Sequence, residues 1–267
     1  MHDILSTASL SGAHSVKSRN RRRLGLVLFG MVAACLIGMA GVVYAEPPPA
    51  LPGAAPEADR KFQPAMDYDK DGCYPTPAIG PDGTINPGRD LGGDVNGGCR
   101  DESDLDNSNA YSRSKCYISG WCAYMYAFYF EKDQTVNGPG VVGVGHKNDW
   151  EHVIVWVQGN TTPMAVAVSQ HSGYDLRHRD QIQWDGTHPK VVYHKDGALT
   201  HVFRFAKSDG GDEPPENHKG TWQFPTLVGW DNFPPGLRDK LVSADFGKAQ
   251  LALKDSAFED TLNNHHP

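Results

Sequence analysis

Gly145-His146-Lys147-Asn148-Asp149-Trp150-Glu151, running on into His152-Val153-Ile154-Val155-Trp156-Val157, decides how the rest of this chain reads. The apolar run is short and rich in β-branched residues, the pattern of a buried strand. Side chains alternate across a strand, so Asp149 and Glu151 project to one face while Trp150 and His152 point to the other. His146 precedes the apolar run behind Gly143-Val144-Gly145 and can fold back toward the two carboxylates. Two carboxylates and one imidazole suit a divalent cation that keeps several waters, such as Mg²⁺, Ca²⁺ or Mn²⁺. No cysteine lies nearby, which argues against a structural zinc site built on thiolates. The same residues also serve a plain strand end carrying two solvated acids and a satisfied histidine.

The chain around this stretch has 267 residues, room for one sizeable β domain and a leader. Residues 1–23 are polar and end in Lys17, Arg19, Arg21, Arg22 and Arg23, and residues 24–45 are almost wholly apolar. With Val43-Tyr44-Ala45 closing the run, residues 1–45 read as a secretory signal cleaved after Ala45. An apolar run of this length also spans a bilayer if it is left uncleaved. Beyond it, 20 Lys and Arg stand against 31 Asp and Glu. That excess of acid disfavours nucleic acid as a partner and disfavours adsorption to anionic lipid by charge alone.

Cys35 belongs to the leader, and Cys73, Cys99, Cys116 and Cys122 form an even set in an exported chain, the usage of two disulfides. Three connectivities are open. Nearest-neighbour pairing, Cys73 with Cys99 and Cys116 with Cys122, closes the shortest loops and is the one expected.

Residues 46–60 are rich in Pro and Ala and read as a linker, followed by one domain over 61–267. Asp67, Asp69 and Asp71, closed by Gly72, match the first half of a calcium loop. The twelfth position is Ala78 where an EF-hand needs a bidentate Glu, so a looser calcium loop is expected. Residues 80–109 show no apolar period and read as a long loop pinned by the disulfides. From Trp121 to Phe130 the chain is dense in aromatic residues and reads as a strand that ends in a polar turn at Glu131-Lys132-Asp133. Further short strands are expected at Met164–Ser169, Val191–His194 and His201–Phe205, with Asp196-Gly197 turning a hairpin between the last two. Leu237–Val242 reads as a short helix, and Phe258–Leu262 as a last helical turn. Repeated short strands with Gly- and Pro-rich connections make an all-β sandwich, with a few short helices and long loops, the expected fold class.

The heptapeptide and its surroundings resemble the necrosis- and ethylene-inducing peptide 1-like proteins, secreted toxins of plant-associated microbes. Their signature G-H-R-H-D-W-E stands here as G-H-K-N-D-W-E. The resemblance extends to Ala123-Tyr124-Met125-Tyr126 through Phe130-Glu131-Lys132-Asp133, to Val168–Tyr174, to Tyr193-His194-Lys195-Asp196-Gly197 and to Asp245-Phe246-Gly247-Lys248-Ala249. Four cysteines after the leader and the acidic Asp67–Asp71 loop look like the second subtype, which carries an extra disulfide and a proposed calcium motif.

The resemblance implies a β-sandwich similar to actinoporins and fungal lectins; one compact sandwich suggests a monomer, with oligomeric state left open by the sequence. It implies a divalent cation, Mg²⁺ or Ca²⁺, held at Asp133, His146, Asp149 and Glu151, with a second Ca²⁺ at the acidic loop. The implied partner is the glycosylated inositol phosphorylceramide of plant plasma membranes, whose binding leads to membrane damage, necrosis and immune responses in eudicots. Plant immune receptors are implied as further partners. Lys147, Asn148 and Trp150 neighbour the motif. Lys147 keeps the charge of the family's Arg but loses its planar fork. Asn148 replaces a histidine and offers no imidazole, so a weakened toxin is one expectation. A secreted non-cytolytic lectin or immune-pattern protein is the alternative.

A metal-dependent hydrolase is disfavoured, because Asn148 breaks the H-x-x-E-H zinc arrangement and that motif belongs on a helix. His171, His178, His188, His194, His201 and His218 read as surface or hydrogen-bonded residues, and Trp222 and Trp230 as packing.

Overall fold

The aromatic run and the heptapeptide run pair with each other. Trp121–Gln134 and Gly145–Gln158, each fourteen residues long, lie antiparallel from Trp121 opposite Gln158 to Gln134 opposite Gly145. The structure, a computed structural model, describes residues 45–136, 143–159, 161–207 and 211–267. The leader read over residues 1–45 lies, apart from Ala45, outside the described residues.

Among the described residues the elements run α1 (Glu57–Lys61), β1 (Ala65–Tyr68), β2 (Asn109–Cys116), β3 (Trp121–Gln134), β4 (Gly145–Gln158), β5 (Thr162–Gln170), β6 (Gly173–His178), β7 (Trp184–Asp185), β8 (His188–Lys195), β9 (His201–Phe205), β10 (Thr226–Gly229), α2 (Leu237–Ser243) and α3 (Phe258–Asn264). One sheet has the order β10-β2-β3-β4-β5-β6; the other has β1-β8-β7, with β9 pairing on β8. The two pack into a β-sandwich, and the sandwich expected from the sequence is the fold.

Alternation along the central pair sorts its side chains into two cores. Tyr124, Tyr126, Phe128 and Phe130 of β3 and Val153, Val155 and Val157 of β4 face the second sheet, against Val191, Tyr193, Phe203 and Phe205. Met125 and Tyr129 of β3 and Trp150, Ile154 and Trp156 of β4 face the other way. There Leu241, Phe246, Leu251, Leu253, Phe258 and Leu262 of the C-terminal segment cover them. A sheet buried on both faces reads as a near-continuous apolar run, which is how β3 and β4 look in the sequence.

Both disulfides join nearest neighbours, Cys73 to Cys99 and Cys116 to Cys122. The second closes the β2–β3 hairpin, and the first ties the acidic turn to the long loop that follows it.

The sequence reading needs two corrections. Glu131, Lys132 and Asp133 are not a turn; they continue β3 and are buried. Buried charge requires partners, and each residue has one. Arg89 pairs with Glu131 at 3.2 Å, the Lys132 ammonium donates to the Asp94 carbonyl at 2.9 Å, and His201 donates to Asp133. Burial pulls the Lys132 amine down to about 8.

The Pro/Ala-rich stretch 46–60 is packed rather than free. Leu51, Ala55 and Asp59 are buried, and the side chains of Asn107 and Asn109 accept from the Ala50 and Leu51 amides at 2.8 Å.

Phe128 sits edge-on to Phe203 at 5.4 Å between the sheets. Truncating such an aromatic core residue costs about 3–5 kcal/mol. Phe128→Ala is therefore expected to lower the chemical-denaturation midpoint severely, whereas Ile118→Ala, at a fully exposed hairpin tip, leaves it unchanged.

Candidate functional site: an acidic cavity at the end of the sandwich

Asp149 and Glu151 share the face of β4 that carries Val153 and Val155, so they extend the inter-sheet core into a polar end. Strict alternation would place His146 on the opposite face from Asp149. Asn148 resolves this. Its φ is 59°, the left-handed region that asparagine tolerates better than most residues. The β3–β4 pairing runs Phe130 with Asp149 and Lys132 with Lys147, skipping Glu131 and Asn148. Past this break the faces exchange, and the cross-strand pair Asp133 and His146 comes round to the side of Asp149.

Asp133, His146 and Asp149 each offer a ligand atom, and these atoms lie within 4.8 Å of one another. Among the described residues this is the one group of three such side chains so placed. The close approach of β3 and β4 here needs Gly145, because a Cβ at that position would sit 2.0 Å from the Asp133 carbonyl oxygen.

The imidazole of His146 is oriented from behind. Its Nδ1 lies 2.7 Å from the Asn148 carbonyl oxygen, which only accepts, so Nδ1 carries a proton. That leaves Nε2 facing the Asp133 carboxylate at 3.9 Å. The Asn148 side chain turns away from the cavity and accepts from the Tyr129 hydroxyl at 2.6 Å.

Asp133 is gripped by His201, whose backbone N–H reaches its two oxygens at 2.9 and 3.1 Å and whose Nδ1–H reaches one at 2.7 Å. Burial alone would depress the His201 imidazole. The hydrogen bond to Asp133 and the carboxylates of Asp133 and Asp71 beside the ring outweigh it and hold the group up at about 9. Tyr193 completes the support. It stacks on Phe130 at 3.9 Å and on His201 at 4.9 Å, and its hydroxyl donates to Asp149 at 3.1 Å.

Glu151 lines the same cavity one alternation further along β4, outside the group of three, and accepts from the Ser169 hydroxyl. That hydroxyl also accepts from the His152 amide at 2.7 Å. On the opposite face the neutral His152 ring accepts from the Ala252 amide at 3.0 Å, and burial pushes it down to about 3.

Three buried carboxylates at one end of the sandwich are electrostatically unfavourable unless protons or a cation compensate them. Burial, then the charge of Asp133, raises Asp149 to about 7. Burial and the charge of Asp149 push Glu151 well above the ordinary carboxylate range. The donor set of carboxylate oxygens and one imidazole fits a hard divalent cation. The cavity, of about 550 Å³, extends past these acids to Gln170, His171, Thr200, Lys248, Gln250 and His265.

The remaining residues singled out in the sequence lie elsewhere. Lys147 points outward and pairs with Asp90 at 3.0 Å. Trp150 packs on the opposite face against Tyr111, Tyr129 and Phe246. Asp67 accepts from the Glu216 and Asn217 amides and the Asn217 side chain; Asp69 pairs with Arg204; Asp71 faces His201. His201, Tyr193 and Ser169 were not picked out from the sequence as members of a site. Nothing local marks them, because each acts on a residue far away along the chain.

A carboxyl raised in the fold binds its proton more tightly there than in the unfolded chain. Its stabilising contribution is complete below the ordinary value of 3.8 and is lost as pH rises through about 7. In chelator, Asp149→Asn is therefore expected to melt above the unaltered protein at pH 8, with the gap closing toward pH 4. Circular-dichroism melts across that range check it; a gap that ignores pH contradicts the burial of charge described here.

The profile of the family described as "Necrosis inducing protein (NPP1)" matches residues 56–265. "NLP effector protein 10" of Phytophthora capsici is 31% identical over 247 residues, covering 90% of this chain and 96% of the relative. A solved structure described as "Toxin fold as basis for microbial attack and plant defense" superposes with a TM-score of 0.69 at 30% identity, covering 82% of this chain and 97% of the other. Another, "NLPPya in complex with mannosamine", gives 0.68 at 30% identity, with 82% and 96% covered.

Proposed function

This chain belongs to the necrosis-inducing protein family, and we propose that it is a secreted effector that recognises a sugar head group at a plant plasma membrane through a divalent cation. The family consists of toxins and effectors rather than enzymes, and this chain shares that non-enzymatic character. The observation that carries the proposal is the convergence of Asp133, His146 and Asp149 at the floor of a cavity of about 550 Å³. A relative of the same fold was solved with the amino sugar mannosamine, which favours a glycan over other small ligands.

In this reading Asp133, His146 and Asp149 hold the cation, and Glu151 adds negative potential from the cavity wall. The bound cation supplies open coordination positions for vicinal hydroxyls, a role that suits Mg²⁺ or Ca²⁺. The side chains of Gln170, Ser172, Thr200 and Gln250 line the same cavity and offer hydrogen bonds that fix a sugar's orientation. A cavity of this size falls within the usual range for small-ligand sites, roughly 300–1,000 Å³. The membrane ligand is the glycosylated inositol phosphorylceramide class, and damage to that membrane leads to necrosis.

The test is dye release from vesicles with and without that glycolipid, in Mg²⁺, in Ca²⁺ and in chelator. Release is expected only with both lipid and cation present, and Asp149→Ala is expected to abolish it. Release from vesicles lacking the glycolipid, or release in chelator, contradicts the proposal. Asn148→His is expected to leave cation affinity nearly unchanged, short of the roughly ten-fold loss that removing an outer-sphere partner brings. The reason is that the Asn148 side chain faces Tyr129 and not the cavity. Calorimetric cation titration checks that expectation.

A further inference from the structure

Asp67, Asp69 and Asp71 are spaced like ligands of one ion, yet their carboxylates take three different partners. Asp67 is held by the 216–217 backbone and the Asn217 amide. Asp69 is held by Arg204, which also pairs with Glu213. Asp71 turns toward the cavity side, with its Oδ1 3.7 Å from His201 Nε2. That nitrogen is buried and has no hydrogen-bond acceptor among the described residues, and the Asp71 carboxylate is the group it faces. The opposite edge of the same ring, with the His201 amide, holds Asp133.

The turn that carries Asp71 is fixed in place. The Asp69 amide donates to the Tyr193 carbonyl at 2.9 Å, and Gly72 lies so close to the Tyr193 ring that a Cβ there would sit 3.0 Å from it. Cys73, the next residue, is cross-linked to Cys99. Tyr193 is in turn the residue that stacks on His201 and donates to Asp149. The acidic turn, the imidazole and the cavity acids therefore share one rigid support.

We infer that Asp71 is an outer-sphere positioning residue of the cation site: standing against one edge of the His201 ring, it fixes the orientation of the imidazole whose other edge holds Asp133. The inference rests on the reading of Asp133, His146 and Asp149 as that site. A hydrogen bond to a ligand from an outer partner is a recurrent way of tuning metal affinity, and loss of such a partner, here His201 with Asp71 one step behind it, typically costs about 10–100-fold in binding. Asp71 is half exposed, so solvent screens part of its charge and the lower end of that range applies.

The test is calorimetric titration of the disulfide-bonded protein with Mg²⁺, Ca²⁺ and Mn²⁺ separately, with thermal melts in chelator run beside it. Asp71→Asn is expected to weaken binding about ten-fold, with its chelator melt unchanged, and Asp71→Glu is expected to restore most of the affinity. A purely structural role for Asp71 would shift the melt and leave the affinity alone. His201→Gln keeps a donor toward Asp133 but removes the ring edge that Asp71 stands against, so adding Asp71→Asn to it should cause little further loss. An affinity untouched by Asp71→Asn, or full additivity of the two substitutions, overturns the inference alone. No cation binding by the unaltered protein overturns the site reading on which it rests.

Discussion

Three carboxylates buried within one cavity set the terms for the rest of this structure. Asp133, Asp149 and Glu151 are each at least nine-tenths removed from solvent, and like charges in such surroundings repel strongly. A fold that keeps them there must hold each in place against that repulsion. The chain does so with a different donor for each: the His201 imidazole and amide for Asp133, the Tyr193 hydroxyl for Asp149 and the Ser169 hydroxyl for Glu151. None of these donors comes from β3 or β4, which carry the acids. Ser169 comes from β5, beside β4 in the same sheet, and Tyr193 and His201 come from β8 and β9, so Asp133 and Asp149 gain their donors only when the second sheet docks.

The scaffold supplies the rigidity this requires. β3 and β4 are buried on both faces, by the second sheet on one side and by the C-terminal segment on the other. The His152 ring ties β4 to the C-terminal layer by accepting from the Ala252 amide, while its own amide bonds Ser169 on the neighbouring strand. The single break in the β3–β4 ladder, at Asn148, brings the far ends of both strands onto the acidic face. A regular ladder would have sent His146 and Asp133 to the opposite side from Asp149. The departure from regular strand geometry thus coincides with the cluster of Asp133, His146 and Asp149, as expected where local rules are broken for function.

How much of this was legible follows from the range of each interaction. Asp149, Glu151 and the strand they sit on are visible from period-two alternation, and the hairpin at Asp196-Gly197 is visible from its turn residues. Asp133 came only through the family resemblance, because a charged triplet after an aromatic run looks like a turn. Its burial depends on Arg89, Asp94 and His201, the last of which lies 68 positions away. The Pro/Ala stretch misled for a similar reason. Its composition suits a free linker, but the side chains of Asn107 and Asn109 capture its backbone and let Leu51 pack. The left-handed residue at 148 could be suspected from asparagine's tolerance of that conformation, but its consequence for His146 requires the paired strand.

The most direct measurement is anomalous diffraction from crystals of the protein grown with Mn²⁺. A single strong peak bounded by Asp133, His146 and Asp149, with the Asp67–Asp71 turn free of metal, is the predicted result. Absence of a peak among those three side chains, or metal confined to the acidic turn, would contradict the claim that the buried acids form a cation site.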